Sequence, residues 1–193
     1  MKMKETPLRS AGLLFPTVAA LATCVDEEGE ANIIALGWAM KTSHDPPLVA
    51  ISVKPSRYSH DLIARSGEFV LAIPTMEMVE ELHYCGRNSG RDVDKFEETG
   101  LTPLPAEKVR PPLIEECAAN LECRMVSQLT TGDHTIFVGE VVAAHVDEAA
   151  YDEERECLDL DKATAIVTHS DEYRAVGDVE AYKLNGDIKL SRS

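Results

Sequence analysis

Short aliphatic segments separated by turn signals recur along the chain and limit what it can fold into. Strands are predicted for residues 17–25, 31–40, 48–53, 68–74, 118–129, 135–146 and 165–169. Two short helices are predicted, for residues 59–67, which end on a glycine, and for residues 78–85. The βαβ alternation and the GxGxxG motif of a dinucleotide-binding sheet are missing. The pattern favours a mainly β fold, either a small barrel or a sandwich.

Other segments offer little regular structure. The proline-bearing stretch at residues 102–114 cannot be a regular central strand. Residues 173–193 are interpreted as a helix or a loose tail. With 193 residues and no internal repeat or dividing linker, the chain suits a single domain.

The charge of the chain limits its partners. The net charge of −15 repels phosphate backbones and anionic membrane surfaces, so we expect neither nucleic-acid binding nor membrane binding. A bound anion would need a local group of Lys and Arg side chains. Each such group is therefore informative.

The cysteines and histidines do not indicate a metal site. The five cysteines are widely spaced without a CxxC pair, and the H-x-C pair of His83 and Cys85 is a weak ligand set. We expect reduced thiols, no metal and a cytoplasmic location. The apolar run at residues 11–24 mimics a signal peptide, but Pro16 interrupts it, so residues 17–25 are interpreted as a buried first strand.

Residues 31–40 contain the one tryptophan of the chain. In an unbulged strand, residues two apart share a face, so Asn32 and Trp38 would point the same way. A side-chain amide can contact the edge of a flat heteroaromatic ring, and an indole on the same face can cover that ring. The alternative is an ordinary core face with the asparagine at its wet end, and the spacing by itself favours that alternative.

Basic residues gather at the predicted start of the first helix. Lys54, Arg57 and His60 lie beside Ser59, the candidate N-cap. Unpaired backbone N–H groups and the helix dipole favour an anion such as phosphate at this position. A plain N-cap with solvated basic side chains fits the segment about equally well.

Two later segments supply further polar groups. The segment GRNSGRDVDKF contains two glycines, two arginines and Lys95, which could contact a pyrophosphate or a ring carbonyl, although it lacks the spacing of a P-loop. His134 follows a hairpin turn, at the mouth of a strand, where an imidazole could donate to a ligand near neutral pH. A solvated loop and an exposed turn histidine are the respective alternatives.

The order of these segments resembles the flavin reductase-like family of FMN-binding split barrels, close to its flavoredoxin branch. The matching pieces are FPTVAALATC, GEANIIALGWAMKTSHDPPLVAISV, SRYSHDLIARSGEFVLAIP, CGRNSGRDVDKFEETGL and GDHTIFVGEVV, with a fainter match in THSDEYRAVGD. The resemblance implies a mainly β, six-stranded split barrel with Greek-key character and a few short helices. It implies one domain with a core at about residues 11–177, a tail at 178–193, and a homodimer with FMN near its interface.

The resemblance also assigns roles to individual residues. Asn32 and Trp38 would contact the isoalloxazine, Ser59 and Arg57 the phosphate, and Lys95 the flavin, where a cation favours the reduced form. His134 would face the open side of the flavin and is the candidate catalytic residue. Backbone groups expected to bond the pyrimidine edge are those of Ala39, Met40, Lys41, Ser52 and Val53.

Two functions follow from the resemblance and stay open at this point. The first is an NAD(P)H-dependent reductase that passes hydride to bound FMN and electrons on to free flavin, a ferric complex or another acceptor. The second is an FMN electron carrier fed by a redox partner protein, without a nicotinamide site. A split barrel that has lost cofactor binding is a third reading. A relay or adduct role for Cys85 is a hypothesis beside its simple burial, which is favoured.

Overall fold

The computed structural model describes residues 3–169 and 172–176. The described part is mainly β, with three α-helices: α1 (Tyr58–Ser66), α2 (Val79–Arg87) and α3 (Lys95–Thr99). The strands are β1 (Thr17–Val18), β2 (Ala20–Val25), β3 (Ala31–Leu36), β4 (Ala39–His44), β5 (Pro47–Val53), β6 (Glu68–Ile73), β7 (Pro103–Leu104), β8 (Leu113–Ile114), β9 (Ala119–Thr131), β10 (His134–Val146), β11 (Tyr151–Asp152), β12 (Cys157–Leu158), β13 (Ala165–His169) and β14 (Glu172–Val176). Short 3-10 helices at Leu8–Leu14, Met76–Met78 and Glu148–Ala150 complete the set.

The main sheet is antiparallel, with strand order β3-β2-β6-β9-β10-β5-β4. Its two outer strands, β3 and β4, are consecutive in the chain and are separated only by Gly37 and Trp38. Two residues can join opposite edges of a sheet only when the sheet curls until those edges meet. The sheet is therefore a barrel split between β3 and β4. This confirms the predicted mainly β split-barrel fold class, with seven strands in the described sheet where six were expected.

The predicted strand at residues 31–40 is wrong as one continuous element. It breaks after Leu36, and the chain resumes pairing at Ala39, opposite Ile51 of β5. Gly37 lies close to Thr17 and Thr168, where a Cβ atom would be 3.3 Å from the Thr17 hydroxyl. Residues before and after the break differ in exposure: Asn32 is buried, whereas Trp38 is 53% exposed.

The core lies on both faces of the sheet. Inside the barrel, Phe69 and Phe137 are fully buried, and Ile63 of α1 packs with them. On the outer face of β2 and β3, Leu82 of α2 and Phe96 at the start of α3 cover Leu21, Ile33 and Ile166. The helices thus close two sides of the barrel wall that carries Asn32.

Several local predictions are confirmed and others are corrected. Gly67 ends α1 in a left-handed conformation, with φ of 68°. Ser59 is not the N-cap: Arg57 occupies that position and Ser59 lies buried in the first turn. Residues 172–176 form a strand where a helix or a loose tail was predicted, and residues 177–193, including the proposed tail, lie outside the described residues. Among residues 3–169 and 172–176, no helix has the length and apolarity needed to cross a bilayer.

Glu122 of β9 anchors a long irregular segment to the barrel. Its fully buried carboxylate accepts hydrogen bonds from the backbone N–H groups of Glu107, Lys108 and Val109 and bonds to His145 Nε2 at 2.7 Å. Burial alone raises the pKa of Glu122, but these hydrogen bonds together lower it below its ordinary value of 4.5.

The Glu122→Gln variant should lose about 2–3 kcal/mol of unfolding free energy at neutral pH, because the charged acceptor of several hydrogen bonds is removed. A carboxyl with a depressed pKa contributes stability above its unfolded pKa and loses it as pH falls through the folded pKa. The difference from the native protein should therefore shrink below pH 4.5. Urea unfolding at stepwise lower pH measures it. Glu30→Gln, at an exposed turn, is the control, and a difference independent of pH would contradict the assignment.

Candidate functional site

Three cavities lie in a row along β3 and its continuation. The inner cavity, of about 140 Å³, lies between Asn32 and the first residues of α1. The bridging cavity, of about 180 Å³, shares Ala35 and Gly86 with the inner cavity. The outer cavity, of about 740 Å³, shares Gly37 with the bridging cavity and extends past Trp38. The row follows the split in the barrel, since it runs from the β3 edge toward the β4 edge.

Asn32 lines the inner cavity and has an unused acceptor. Its Nδ2 donates to Ser59 Oγ at 2.7 Å, whereas its Oδ1 is buried without a hydrogen-bond partner. Buried polar atoms in folded proteins are almost always paired, and leaving one unpaired costs about 1–3 kcal/mol. An orphaned carbonyl oxygen beside a cavity indicates that a ligand with a hydrogen-bond donor fits there. The amide-bearing ring system of a flavin meets that requirement.

The N-terminus of α1 faces the same cavity. No side chain caps this helix, so the first N–H groups are not satisfied by a side chain. Arg57, the N-cap residue, lines the cavity, is exposed, and makes no ion pair with any residue of the described part of the chain. An uncapped helix start with an adjacent guanidinium can bind phosphate.

Lys95 lies beneath the inner cavity, but its ammonium is occupied. Its Nζ donates to Ile33 O at 2.7 Å and to Cys85 O at 2.8 Å, and the residue is 4% exposed. Burial lowers the pKa of Lys95 from its ordinary value of 10.5, while the neighbouring Cys85 and Cys24 act in the opposite direction. Two of the three ammonium protons are thus used to join β3 to α2.

The thiols near this ammonium are unreactive by their surroundings. Burial raises the pKa of Cys85 to about 11 and that of Cys24 to about 11, so both are protonated at neutral pH. This favours burial over a relay role for Cys85.

His83 Nδ1 lies 3.2 Å from Tyr173 Oη. Within residues 3–169 and 172–176, His, Cys, Asp and Glu side chains do not assemble into a metal-binding group of three.

Trp38 and His134 form the far end of the row. Their ring centroids are 4.5 Å apart, and both line the outer cavity. His134 Nδ1 is 2.7 Å from Asp133 Oδ1, and the other oxygen of Asp133 is 3.3 Å from Lys54 Nζ. Since a carboxylate only accepts, Nδ1 carries a proton toward Asp133 and leaves Nε2 for other contacts. The His134 hydrogen bond, followed by that of Lys54, lowers the pKa of Asp133.

The structure brings only some of the predicted site residues together. Asn32, Arg57, Ser59 and Lys95 line the inner cavity, and the residues of the predicted set that line the outer cavity are Trp38, Ala39, Met40, Ser52 and His134. Lys41 and Val53 line none of the three cavities. The predicted basic group is dispersed, because Lys54 pairs with Asp133 and His60 Nε2 lies 2.9 Å from Thr135 Oγ1.

The backbone groups expected at a pyrimidine edge are partly used. Ser52 N donates to Trp38 O at 2.9 Å and is therefore occupied by the protein itself. β4, in contrast, is the last strand of the main sheet and pairs with β5 along one side only. The outward backbone groups of Ala39 and Lys41 remain candidates for a ligand.

Sequence reasoning did not identify Tyr58 of α1, or Asn88 and Ser89 on the opposite side, as residues of the inner cavity. Gly90, from the segment already singled out, lines it as well. A Cβ atom at Gly90 would lie 1.9 Å from Asn32 Oδ1, so only glycine allows this approach. The paired glycines of the segment GRNSGR were a signal of close backbone approach, but the sequence does not show which residue they approach.

Comparison with known proteins places this geometry in a family. Residues 11–177 match the family model described as "Flavin reductase like domain". An uncharacterised protein of Archaeoglobus fulgidus is 43% identical over 111 residues, which are 58% of this chain and 63% of that protein. The match therefore spans less than two thirds of that relative's own length. A flavin reductase of Pseudomonas putida is 32% identical over 66% of this chain and 71% of its own.

A solved structure extends the likeness to nearly the whole fold. Flavoredoxin of Desulfovibrio vulgaris (Miyazaki F) superposes with a TM-score of 0.83 at 31% identity, covering 93% of this chain and 97% of its own. The family match spans both the inner and the outer cavity, and the superposition extends across nearly all of both chains. The chain belongs to the flavin reductase-like family.

Proposed function

We propose that this protein is an FMN-binding oxidoreductase that takes electrons from NADH or NADPH and passes them to an acceptor. The observation that carries the proposal is the row of cavities that connects an uncapped helix start and the unpaired Asn32 Oδ1 with the Trp38–His134 pair. The inner end of the row suits an anion, the bridging cavity is small, and the outer end is wide and lined by Trp38 and His134. A flavin mononucleotide has the matching sequence of groups.

The residues of the chain would divide the binding work. Arg57 and the first N–H groups of α1 bind the phosphate, while Asn32, held by Ser59, bonds a polar edge of the ligand. The buried ammonium of Lys95 supplies positive charge beneath the site. Trp38 covers an apolar surface at the wide end of the row.

When bound, the flavin supplies the redox chemistry, and the chain supplies position and electrostatics. Lys95 favours the more negative, reduced form because its charge is fixed close by in a buried place. His134, oriented by Asp133, is placed to donate to or accept from a ligand entering the outer cavity. The open volume of about 740 Å³ there leaves room for the nicotinamide portion of an electron donor.

A second candidate is an FMN electron carrier fed by a protein partner. The structural likeness to two flavoredoxins supports it, since that of Methanosarcina acetivorans also superposes with a TM-score of 0.82 at 30% identity. In that case the outer cavity would be covered by a partner's surface during transfer. The five free cysteines support a reducing compartment, and we propose the cytoplasm as the location.

The two candidates differ in one measurement. The purified protein is loaded with FMN and titrated anaerobically with NADH and with NADPH while the visible absorption is recorded. Bleaching of the flavin bands at a rate well above that of free FMN is expected for the reductase. Bands that bleach with dithionite but resist both pyridine nucleotides would contradict the reductase and support the carrier.

The phosphate assignment predicts a difference between two flavins. Arg57→Ala should weaken FMN binding about tenfold, because a charge-assisted contact is lost, and should leave riboflavin binding unchanged. Calorimetric titration with both flavins measures the effect. Arg65→Ala, in the last turn of the same helix, is the matched control and should change neither. Equal weakening of both flavins by Arg57→Ala would contradict the assignment.

We also propose a homodimer whose interface uses the apolar residues at the rim of the outer cavity and leaves the cavity itself open to an electron donor. The exposed apolar residues that line this cavity are Phe15, Val18, Trp38 and Met40. Leu129 is also exposed and pairs with Ile136, which lines the same cavity. Exposed apolar surface of this kind supports the proposal of an interface. β4 adds an edge strand without a second neighbour among the described strands.

The dimer is tested by light scattering coupled to gel filtration. The native protein should have twice the 21.1 kDa mass of one chain. Val18→Glu, at an exposed residue that lines the outer cavity, should shift the population to monomer because it places a charge in the interface. Leu160→Glu is the matched control, since Leu160 is also exposed but lies outside the outer cavity. A native protein that stays monomeric at micromolar concentration would contradict the proposed homodimer.

A further inference from the structure

Residues 88–91, which we name the strap, close the inner cavity on the side opposite α1. Asn88, Ser89 and Gly90 line the cavity, and Gly90 lies so close to Asn32 that a Cβ would be 1.9 Å from Oδ1. The strap is a compact turn, since Asp92 N donates to Ser89 O at 3.0 Å and Arg91 N to Ser89 Oγ at 3.2 Å. It therefore tends to move as one piece.

One side chain joins the strap to α1. The Arg91 guanidinium donates to Ser56 O at 3.3 Å and to Asp61 Oδ2 at 3.3 Å, and its carbon lies 5.0 Å from the centre of the Tyr58 ring. All three partners belong to α1 or to the segment that leads into it. Asn88 holds the other end, because its Nδ2 donates to Tyr84 O in α2.

We propose that Arg91 is a latch that sets how long the cofactor is retained, an inference that rests on the proposed function. A ligand bound at Asn32 lies between the strap and α1, so lifting the strap opens its exit on that side. Lifting the strap breaks every contact of the Arg91 guanidinium at once. The residue thereby acts on whether FMN stays bound, as in a carrier, or exchanges, as a substrate does.

The size of the effect follows from the kind of contact. Both side chains of the ion pair between Arg91 and Asp61 are about half exposed, so the pair stabilises the closed strap only weakly. The stacking of Arg91 on Tyr58 stabilises the closed strap by a similar amount. Together they should slow FMN release about five- to tenfold. Arg91 affects how readily the strap opens and does not affect how often free FMN meets the protein. The change should therefore appear in the dissociation rate of FMN.

The test compares Arg91→Ala with Arg65→Ala. Arg65 is another arginine that lines the neighbouring cleft, and within the described residues it forms no hydrogen bond or ion pair with the strap. FMN dissociation is followed by stopped-flow recording of flavin fluorescence after the holoprotein is diluted far below its dissociation constant for FMN. Arg91→Ala should release FMN about five- to tenfold faster, with Arg65→Ala at the native rate. Release at the native rate from Arg91→Ala would overturn the latch while leaving FMN binding intact.

A second measurement uses the protein without FMN. Hydrogen exchange of the amides of residues 89–93 should be faster in Arg91→Ala than in the native protein and in Arg65→Ala, because the strap opens more often. Equal exchange in all three proteins would also overturn the latch. A native protein that binds no FMN overturns the proposed function instead, which keeps the two failures distinct.

Discussion

The passage of the chain from β3 to β4 through Gly37 and Trp38 is the constraint on which the site depends. It joins the two edges of a curled sheet, so the barrel stays split along this line. Asn32, before the passage, faces a buried cavity, and Trp38, within it, faces an open one. The cavities follow the split because backbone pairing between β3 and β4 is absent there in the described sheet. A flat ligand laid along the line reaches both.

Electrostatics favour an anionic ligand at one end only. The chain has a net charge of −15, yet Arg57 lies unpaired among the described residues at the mouth of the inner cavity and Lys95 is buried beneath it. At the outer cavity, Lys54 and His134 are both bonded to Asp133, so their polar atoms are largely committed. The acidic surface elsewhere repels anions, which strengthens the preference for this one position.

The sequence was a good guide to elements and a weaker guide to contacts. Alternation of apolar and turn residues located most strands, and Gly67 located the end of α1, because these signals are local. The bond between Asn32 and Ser59 joins residues 27 positions apart, and that between Lys95 and Ile33 spans 62 positions. Such pairings follow from how the sheet curls, which no local pattern specifies. The break at Gly37 was missed for the same reason: Thr17 and Thr168 approach it from distant strands.

The central claim is that Trp38 and Asn32 contact one and the same flavin, and tryptophan fluorescence tests it most directly because Trp38 is the only tryptophan. FMN should quench the emission to saturation, with the midpoint seen in the flavin absorption, and Asn32→Ala should move both midpoints together to higher concentration. N-acetyltryptophanamide corrects for light absorbed by the ligand. Saturable FMN binding that leaves the emission of Trp38 unchanged would contradict the account.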